Sequence, residues 1–216
     1  MNGRRDEKKK PMLTSLAKSQ GIAILGLQET HLNEEETEKL NDRFQKVIII
    51  SNSVSTAKEG IAFVLNKEMV NGMKWNHSII IEGRASRLEI EMGREKGLNI
   101  VFIYAPNGNK DKIEFWNELN TKLRRIENLE NVIIMGDFNA VEESIDRYPH
   151  IEEDEKVQDV WKKVAKGLKV IDRWRMHNPT KTEYTYIQKA TNSMSRIDRI
   201  YMNKSIYLYG YNWNHI

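Results

Sequence analysis

The sequence predicts an α/β sandwich of mixed β-sheets, formed by a single domain spanning residues 1–216. Two observations lead there. Strand-like apolar segments outnumber amphipathic helical ones, and they come both as hairpin-like runs and as strand–helix–strand units. The chain also has no repeat, low-complexity tract or linker at which it could be divided.

The elements follow in order. Asp6 can cap a first helix, Pro11 is tolerable in its first turn, and Met12, Leu13, Leu16 and Ala17 form an apolar stripe that Gly21 ends. The run "IAILGLQETH" suits a buried strand that stops at Gln28 and Glu29, after which Asn33 caps a weak acidic helix, "EEETEKL". Strands are then expected at 46–51, 60–66, 77–83, 86–92 and 98–106. The span Ser86 to Met92 alternates apolar with charged residues, as a half-exposed strand should. The stretch "APNG" at 105–108 is turn punctuation, and Ile113, Trp116, Leu119, Leu123 and Ile126 mark a long amphipathic helix beyond it. The strand ending in "GDFN" follows that helix directly. Val157, Val160, Trp161, Val164 and Leu168 mark a further helix, and "TEYTYI" and "SRIDRIYM" return the chain to strands.

Composition narrows the function classes. Apolar residues at 39% and charged residues at 30% describe a globular rather than a disordered chain. The net charge of +3 is too small to argue for nucleic acid by itself. The absence of cysteine excludes disulfide and thiolate chemistry and fits an intracellular protein. No apolar run approaches a membrane span and the N-terminus has no signal-peptide core, so a soluble protein without a membrane partner is expected.

The stretch "IIMGDFNAV" at 133–141 carries the first chemical signal. On an extended chain residues i and i+2 share a side, so Asp137 and Asn139 are expected to face one place at the end of a buried strand. A polar turn after a core strand is the plainer reading. Other apolar strands end the same way, however, at Glu29, Tyr104 and Asp198. The carboxyl ends of strands build the ligand crevice of open α/β sheets. Hard oxygen donors such as Glu29 and Asp137 suit Mg²⁺ or Mn²⁺. A divalent ion beside Asp, Asn and Tyr is an apparatus for phosphate-ester hydrolysis, in which a carboxylate orients or activates water.

Four motifs in sequence, "LQETHL", "YAPNGN", "GDFNA" and "SRIDRIY", resemble the endonuclease/exonuclease/phosphatase superfamily. The likeness is greatest to the endonuclease domain of LINE-type retrotransposon open reading frame 2. The resemblance implies a four-layered sandwich of two mixed β-sheets flanked by helices, which hydrolyses phosphodiesters of DNA with Mg²⁺ or Mn²⁺. Residue by residue, it implies Glu29 as a metal ligand, and Tyr104 and Asn107 as groups beside the scissile phosphate. It implies Asp137 as the group that positions or deprotonates water and Asn139 as its helper. Asp198 would orient a histidine, and Arg147, Thr185 and Ser195 would contact DNA. DNA is thus the expected partner, a nuclear location follows from that function only, and a monomer is the simplest oligomeric expectation.

Two family motifs are incomplete here. Asn2 matches a metal-proximal position near the start, whereas the asparagine expected two residues earlier would precede Met1. The closing Ser-Asp-His is missing, and His215 sits in a stretch that normally comes before it. The expectation is a chain truncated at both ends, with its first and last core strands incomplete and with little or no activity. Loss of one transition-state donor alone costs ~10²–10³ in rate. Two other readings stay open: a phosphatase of the same superfamily, and a remnant that binds nucleic acid through basic clusters such as "RRDEKKK" without cutting it.

Overall fold

The computed structural model describes residues 21–53, 59–92, 95–127 and 129–207. The expected first helix, Asn2, His215 and the strands expected to be incomplete at the ends lie outside them.

Three strands, β1 (Ile24–Gln28), β2 (Val47–Asn52) and β3 (Ile61–Asn66), form a small antiparallel sheet in the order β1-β3-β2. The central strand β3 is buried on both faces, which is why it reads as a continuous apolar run rather than an alternating one. Its Ala62 and Val64 meet Leu40, Val47 and Ile49 on one side, while Ile61, Phe63 and Leu65 meet Leu88, Ile90, Ile100 and Phe102 on the other. Helix α1 (Glu34–Arg43) supplies Leu40. It starts as expected at Asn33, in a reciprocal capping box with Glu36 whose bonds are 2.8 and 3.3 Å long.

The larger sheet has six strands in the order β4-β5-β6-β7-β12-β9. They are β4 (Trp75–Ile81), β5 (Ala85–Met92), β6 (Glu95–Tyr104), β7 (Val132–Asp137), β9 (Val170–Asp172) and β12 (Asp198–Asn203). All neighbours are antiparallel except β6 and β7, which are parallel and joined by helix α2 (Asn109–Leu123). The outer face presents Val101, Ile103, Ile134 and Tyr201 to Trp116 and Leu119 of α2 and to Trp161 and Val164 of α3 (Glu155–Leu168). Four layers result: α1, the small sheet, the large sheet, and α2 with α3. This is the mixed-sheet α/β sandwich the sequence predicted.

Two glycines set how the layers meet. A Cβ at Gly26 in β1 would lie 2.3 Å from the Phe102 ring, so its absence lets β1 settle against the large sheet. Gly136 in β7 has φ +134°, and a Cβ there would lie 2.0 Å from the Ile103 carbonyl oxygen.

The last third departs from expectation. The "TEYTYI" stretch is strand only over β10 (Tyr186–Gln188), which pairs with β11 (Ser193–Ser195), which in turn pairs with β8 (Arg147–Tyr148). Strands β8 and β9 and the short helix α4 (Arg173–His177) span too few residues to show a period in sequence. A short helix, α5 (Lys204–Tyr207), follows β12. Among the described residues no helix is long and apolar enough to cross a membrane.

Candidate active site

The strand register gathers the predicted polar ends. Tyr104 pairs with Asp137 across the parallel β6–β7 ladder, and Asp137 pairs with Asp198 across β7–β12. Directly paired residues project to the same face, so three side chains line one edge of the large sheet. The small sheet adds two more at the end of β1. Gln28 Nε2 donates to Asp198 Oδ1 at 2.8 Å, and the Tyr104 hydroxyl donates to Glu29 Oε1 at 2.9 Å. Glu29 is exposed and has left-handed backbone (φ +53°), which turns the chain immediately after the strand. Glu29, Tyr104, Asp137 and Asp198 thus share one end of the sandwich. Glu29 follows β1, and Tyr104 and Asp137 end β6 and β7, but Asp198, expected to end a strand, begins β12 and arrives here because β12 runs antiparallel to β7.

The i, i+2 argument for Asn139 does not hold. Strand β7 stops at Asp137, and Asn139 has φ +46°, so the chain is no longer extended there. Asp137 Oδ1 instead accepts the Asn139 backbone N–H at 2.7 Å, while Asn139 Nδ2 donates to the Ala105 carbonyl at 2.7 Å. This is a side-chain-closed turn, and Asn139 ties the end of β7 to the end of β6. Asn139 stays beside Asp137, though for turn geometry rather than strand periodicity.

Burial pushes the Asp137 carboxyl up from an ordinary 3.8 to about 6. The Asn139 N–H and the Lys112 ammonium oppose that shift, and the nearby charges of Asp198 and Glu29 add to it. Burial and then the hydrogen bond to Glu29 push the Tyr104 phenol to about 12, so it stays a donor at neutral pH. The site therefore collects acid groups whose mutual repulsion is only partly offset.

Several participants were not singled out in the sequence. Gln28 sits beside Glu29 in the same motif. The Arg84 guanidinium lies over the Tyr104 ring at 5.1 Å, donates to the Tyr104 carbonyl at 3.1 Å and pairs with Glu59. Lys112, one turn before Phe115 and Trp116 on the buried face of α2, donates to the Asn139 carbonyl at 2.7 Å and pairs with Glu153 at 3.3 Å. A lysine on an otherwise apolar helix face was the available signal.

The residues expected at DNA fall on the third sheet and its approach. Ser195 and Arg147 are cross-strand partners, and Arg147 is tied to Glu153 at 3.0 Å. Thr185 Oγ1 accepts the backbone N–H groups of Ile197 and Asp198, both at 3.1 Å, which anchors that sheet to the acidic end. Asn107 is exposed on the loop before α2.

Among the described residues no three His, Cys, Asp or Glu side chains are grouped to hold a metal ion alone. A hydrated Mg²⁺ needs only one or two carboxylates, with water and substrate oxygens completing its shell. The exposed Glu29 carboxylate, fixed by Tyr104, fits that requirement, and the like charges that raise Asp137 would be eased by a cation.

Known proteins share this architecture. The sequence pattern of the "Endonuclease/Exonuclease/phosphatase family" matches residues 2–212. An uncharacterized 149 kDa protein of transposon TX1 from Xenopus laevis is 27% identical over 208 residues, covering 95% of this chain, which spans only 16% of that protein. An AP endonuclease from Archaeoglobus fulgidus superposes with a TM-score of 0.74 at 18% identity, over 91% of this chain and 82% of its own. A 3′ phosphatase from Neisseria, solved with a product DNA hairpin, superposes with a TM-score of 0.68 at 16% identity, over 92% and 82% of the two chains.

Proposed function

The chain belongs to the endonuclease/exonuclease/phosphatase family, and from that premise we propose that it is a retroelement-derived, single-domain hydrolase of DNA phosphodiesters that uses Mg²⁺ or Mn²⁺. The observation that carries this reading is the convergence of Glu29, Tyr104, Asp137 and Asp198 at one end of the two sheets. The similarity to a transposon protein supports a retroelement origin.

In this scheme Glu29 holds the divalent ion, with Asn2 as the second candidate ligand. The ion, when bound, supplies positive charge for the phosphoryl oxygens as negative charge builds there. Tyr104 orients Glu29 through its hydroxyl and, with Asn107, borders the scissile phosphate. Asp137 has the chemistry of a general base, because a carboxyl that titrates at about 6 is ionised and still basic at neutral pH. Water attacks phosphorus, its proton passes to Asp137, and the bond to the leaving sugar oxygen breaks as that oxygen takes a proton from solvent. Asn139 fixes the turn that aims Asp137, and Asp198 is held by Gln28. Arg147, Thr185 and Ser195 face the DNA backbone, and all groups come from one chain, so a monomer suffices. A DNA substrate implies a nuclear location.

The test is nicking of supercoiled plasmid with Mg²⁺ or Mn²⁺. Slow nicking that EDTA and Asp137→Ala both abolish supports the reading. Nicking that survives Asp137→Ala overturns the site assignment. Binding of DNA without any nicking favours the non-catalytic reading, and release of terminal phosphate without nicking favours a phosphatase.

A further inference from the structure

Away from the acidic end, the chain buries a second set of charges that hydrolysis does not use. Asp146 ends a short 3₁₀ turn (Ser144–Asp146) and is only 1% exposed. Arg196, fully buried, grips both of its carboxylate oxygens, with Nε at 2.7 Å and a terminal nitrogen at 2.9 Å. Arg175 donates to the same carboxylate, and Arg199 stands 3.5 Å away. Arg196 also reaches Asp172 at 2.7 Å and lies over the Trp174 ring at 4.7 Å. Burial alone would raise the Asp146 carboxyl, but the Arg196 hydrogen bonds and the arginine charges outweigh it and hold it below the ordinary range.

Buried ion pairs are weak evidence for stability, because desolvation offsets their attraction. The placement of this cluster suggests another use. Asp146 directly precedes Arg147, and Arg196 directly follows Ser195. The Arg196 backbone N–H donates to the Asp146 carbonyl at 2.8 Å, which continues the β8–β11 pairing. Arg175 donates to the carbonyls of Asn178 at 2.7 Å and Lys181 at 2.9 Å, on the segment that leads to Thr185. The Thr185 N–H in turn donates to the Ser195 carbonyl at 3.0 Å. One carboxylate therefore holds the three segments that carry Arg147, Ser195 and Thr185.

We infer that Asp146, acting through Arg196 and Arg175, is a positioning residue that sets the DNA-facing row Arg147–Ser195–Thr185 relative to the acidic end. The inference rests on the DNA reading proposed above. It makes Asp146 a determinant of substrate affinity without touching substrate. The paired arms of the cluster would act as one rigid support, so loosening any arm should shift the whole row.

A double-mutant cycle on binding of a fluorescently labelled DNA duplex in EDTA tests this, read by anisotropy. One arm of the cycle is Asp146→Asn, which keeps the shape and one acceptor. Arg175→Lys serves as a second variant that keeps the charge but cannot span both the carboxylate and the loop carbonyls. The other arm is Arg147→Ala with Ser195→Ala. Circular dichroism melts confirm that each protein is folded at the assay temperature. The expected result is a roughly tenfold loss of affinity from either cluster variant in the wild-type background, and little further loss once Arg147 and Ser195 are truncated. Equal losses in both backgrounds would make the cluster purely structural and overturn the inference, as would no loss in either. If truncating Arg147 and Ser195 leaves affinity unchanged, the DNA reading of this face fails first, and the inference falls with it.

Discussion

Gln28 and Asp198, 170 positions apart, are joined by a 2.8 Å hydrogen bond from the carboxamide nitrogen to the carboxylate. Gln28 ends β1 of the small sheet and Asp198 begins β12 of the large one, so this bond bridges the two sheets where the acidic side chains converge.

Replacing Gln28 by Leu keeps much of the side-chain volume and removes the donor. A neutral-to-charged hydrogen bond of this kind contributes about 1.5–3 kcal/mol. Urea unfolding should show a loss of that size. If Asp198 must be held in place for turnover, plasmid nicking by Gln28→Leu should fall roughly tenfold at saturating DNA, with KM nearly unchanged. A changed KM with an unaltered maximal rate would mean that the bond fastens the sheets without serving the reaction.

Much of this end of the molecule was legible in the chain. The polar residue past an apolar run marked Glu29, Tyr104 and Asp137 at the ends of β1, β6 and β7, whereas Asp198 begins β12 and was marked by the "SRIDRIY" motif rather than by a strand end. Residues reached only by tertiary approach were not legible. Arg84 enters from the turn between β4 and β5, and Lys112 is hidden in the amphipathic pattern of α2. The buried cluster around Asp146 was missed for a related reason. Most of its elements are two to five residues long, too short to display a period, and a strand reading of "SRIDRIYM" does not show that its arginines turn inward onto Asp146. The Asn139 turn failed because strand periodicity was carried two residues past the end of β7.

Gly136 offers a direct test of packing against conformation. Gly136→Ala would place a methyl 2.0 Å from the Ile103 carbonyl oxygen at φ +134°. Gly72→Ala has positive φ as well, +77°, but meets nothing within 4 Å. The Gly72 change should cost about 1 kcal/mol from backbone strain alone. The Gly136 change should cost more than ~3 kcal/mol, because backbone of a central strand must move. Equal costs in urea melts would show that β6 and β7 can separate without penalty.

Tyr104→Phe removes only the hydroxyl that holds Glu29 and leaves the ring under Arg84. The stability change should stay near ~1 kcal/mol. Binding of Mn²⁺, followed by the paramagnetic resonance of the free ion, should weaken roughly tenfold, since a carboxylate ligand loses its outer partner. Because the phenol titrates near 12, wild-type Mn²⁺ binding should show no step from this group in mildly alkaline solution. Unchanged Mn²⁺ affinity in the variant would remove Tyr104 and Glu29 from the proposed metal site.

Asp137 links stability and chemistry with opposite signs. Its carboxyl is raised from 3.8 to about 6 in the folded chain, so the native state favours the protonated form. Its contribution to stability is therefore full below the unfolded value, declines as pH rises through about 6, and is constant above that. Asp137→Asn has no charge to lose. In EDTA, the melting temperature of the variant should gain on the wild type between about pH 4 and pH 6 and hold a steady lead at higher pH. Nicking by the wild type should follow the reverse course, appearing as Asp137 ionises, and should be absent from the variant at every pH. Mg²⁺ should narrow the stability gap, because a cation at Glu29 eases the repulsion among Glu29, Asp137 and Asp198. A gap that is independent of pH would assign the Asp137 effect to its turn with Asn139 rather than to its charge. A gap that is independent of Mg²⁺ would argue that no cation binds beside it.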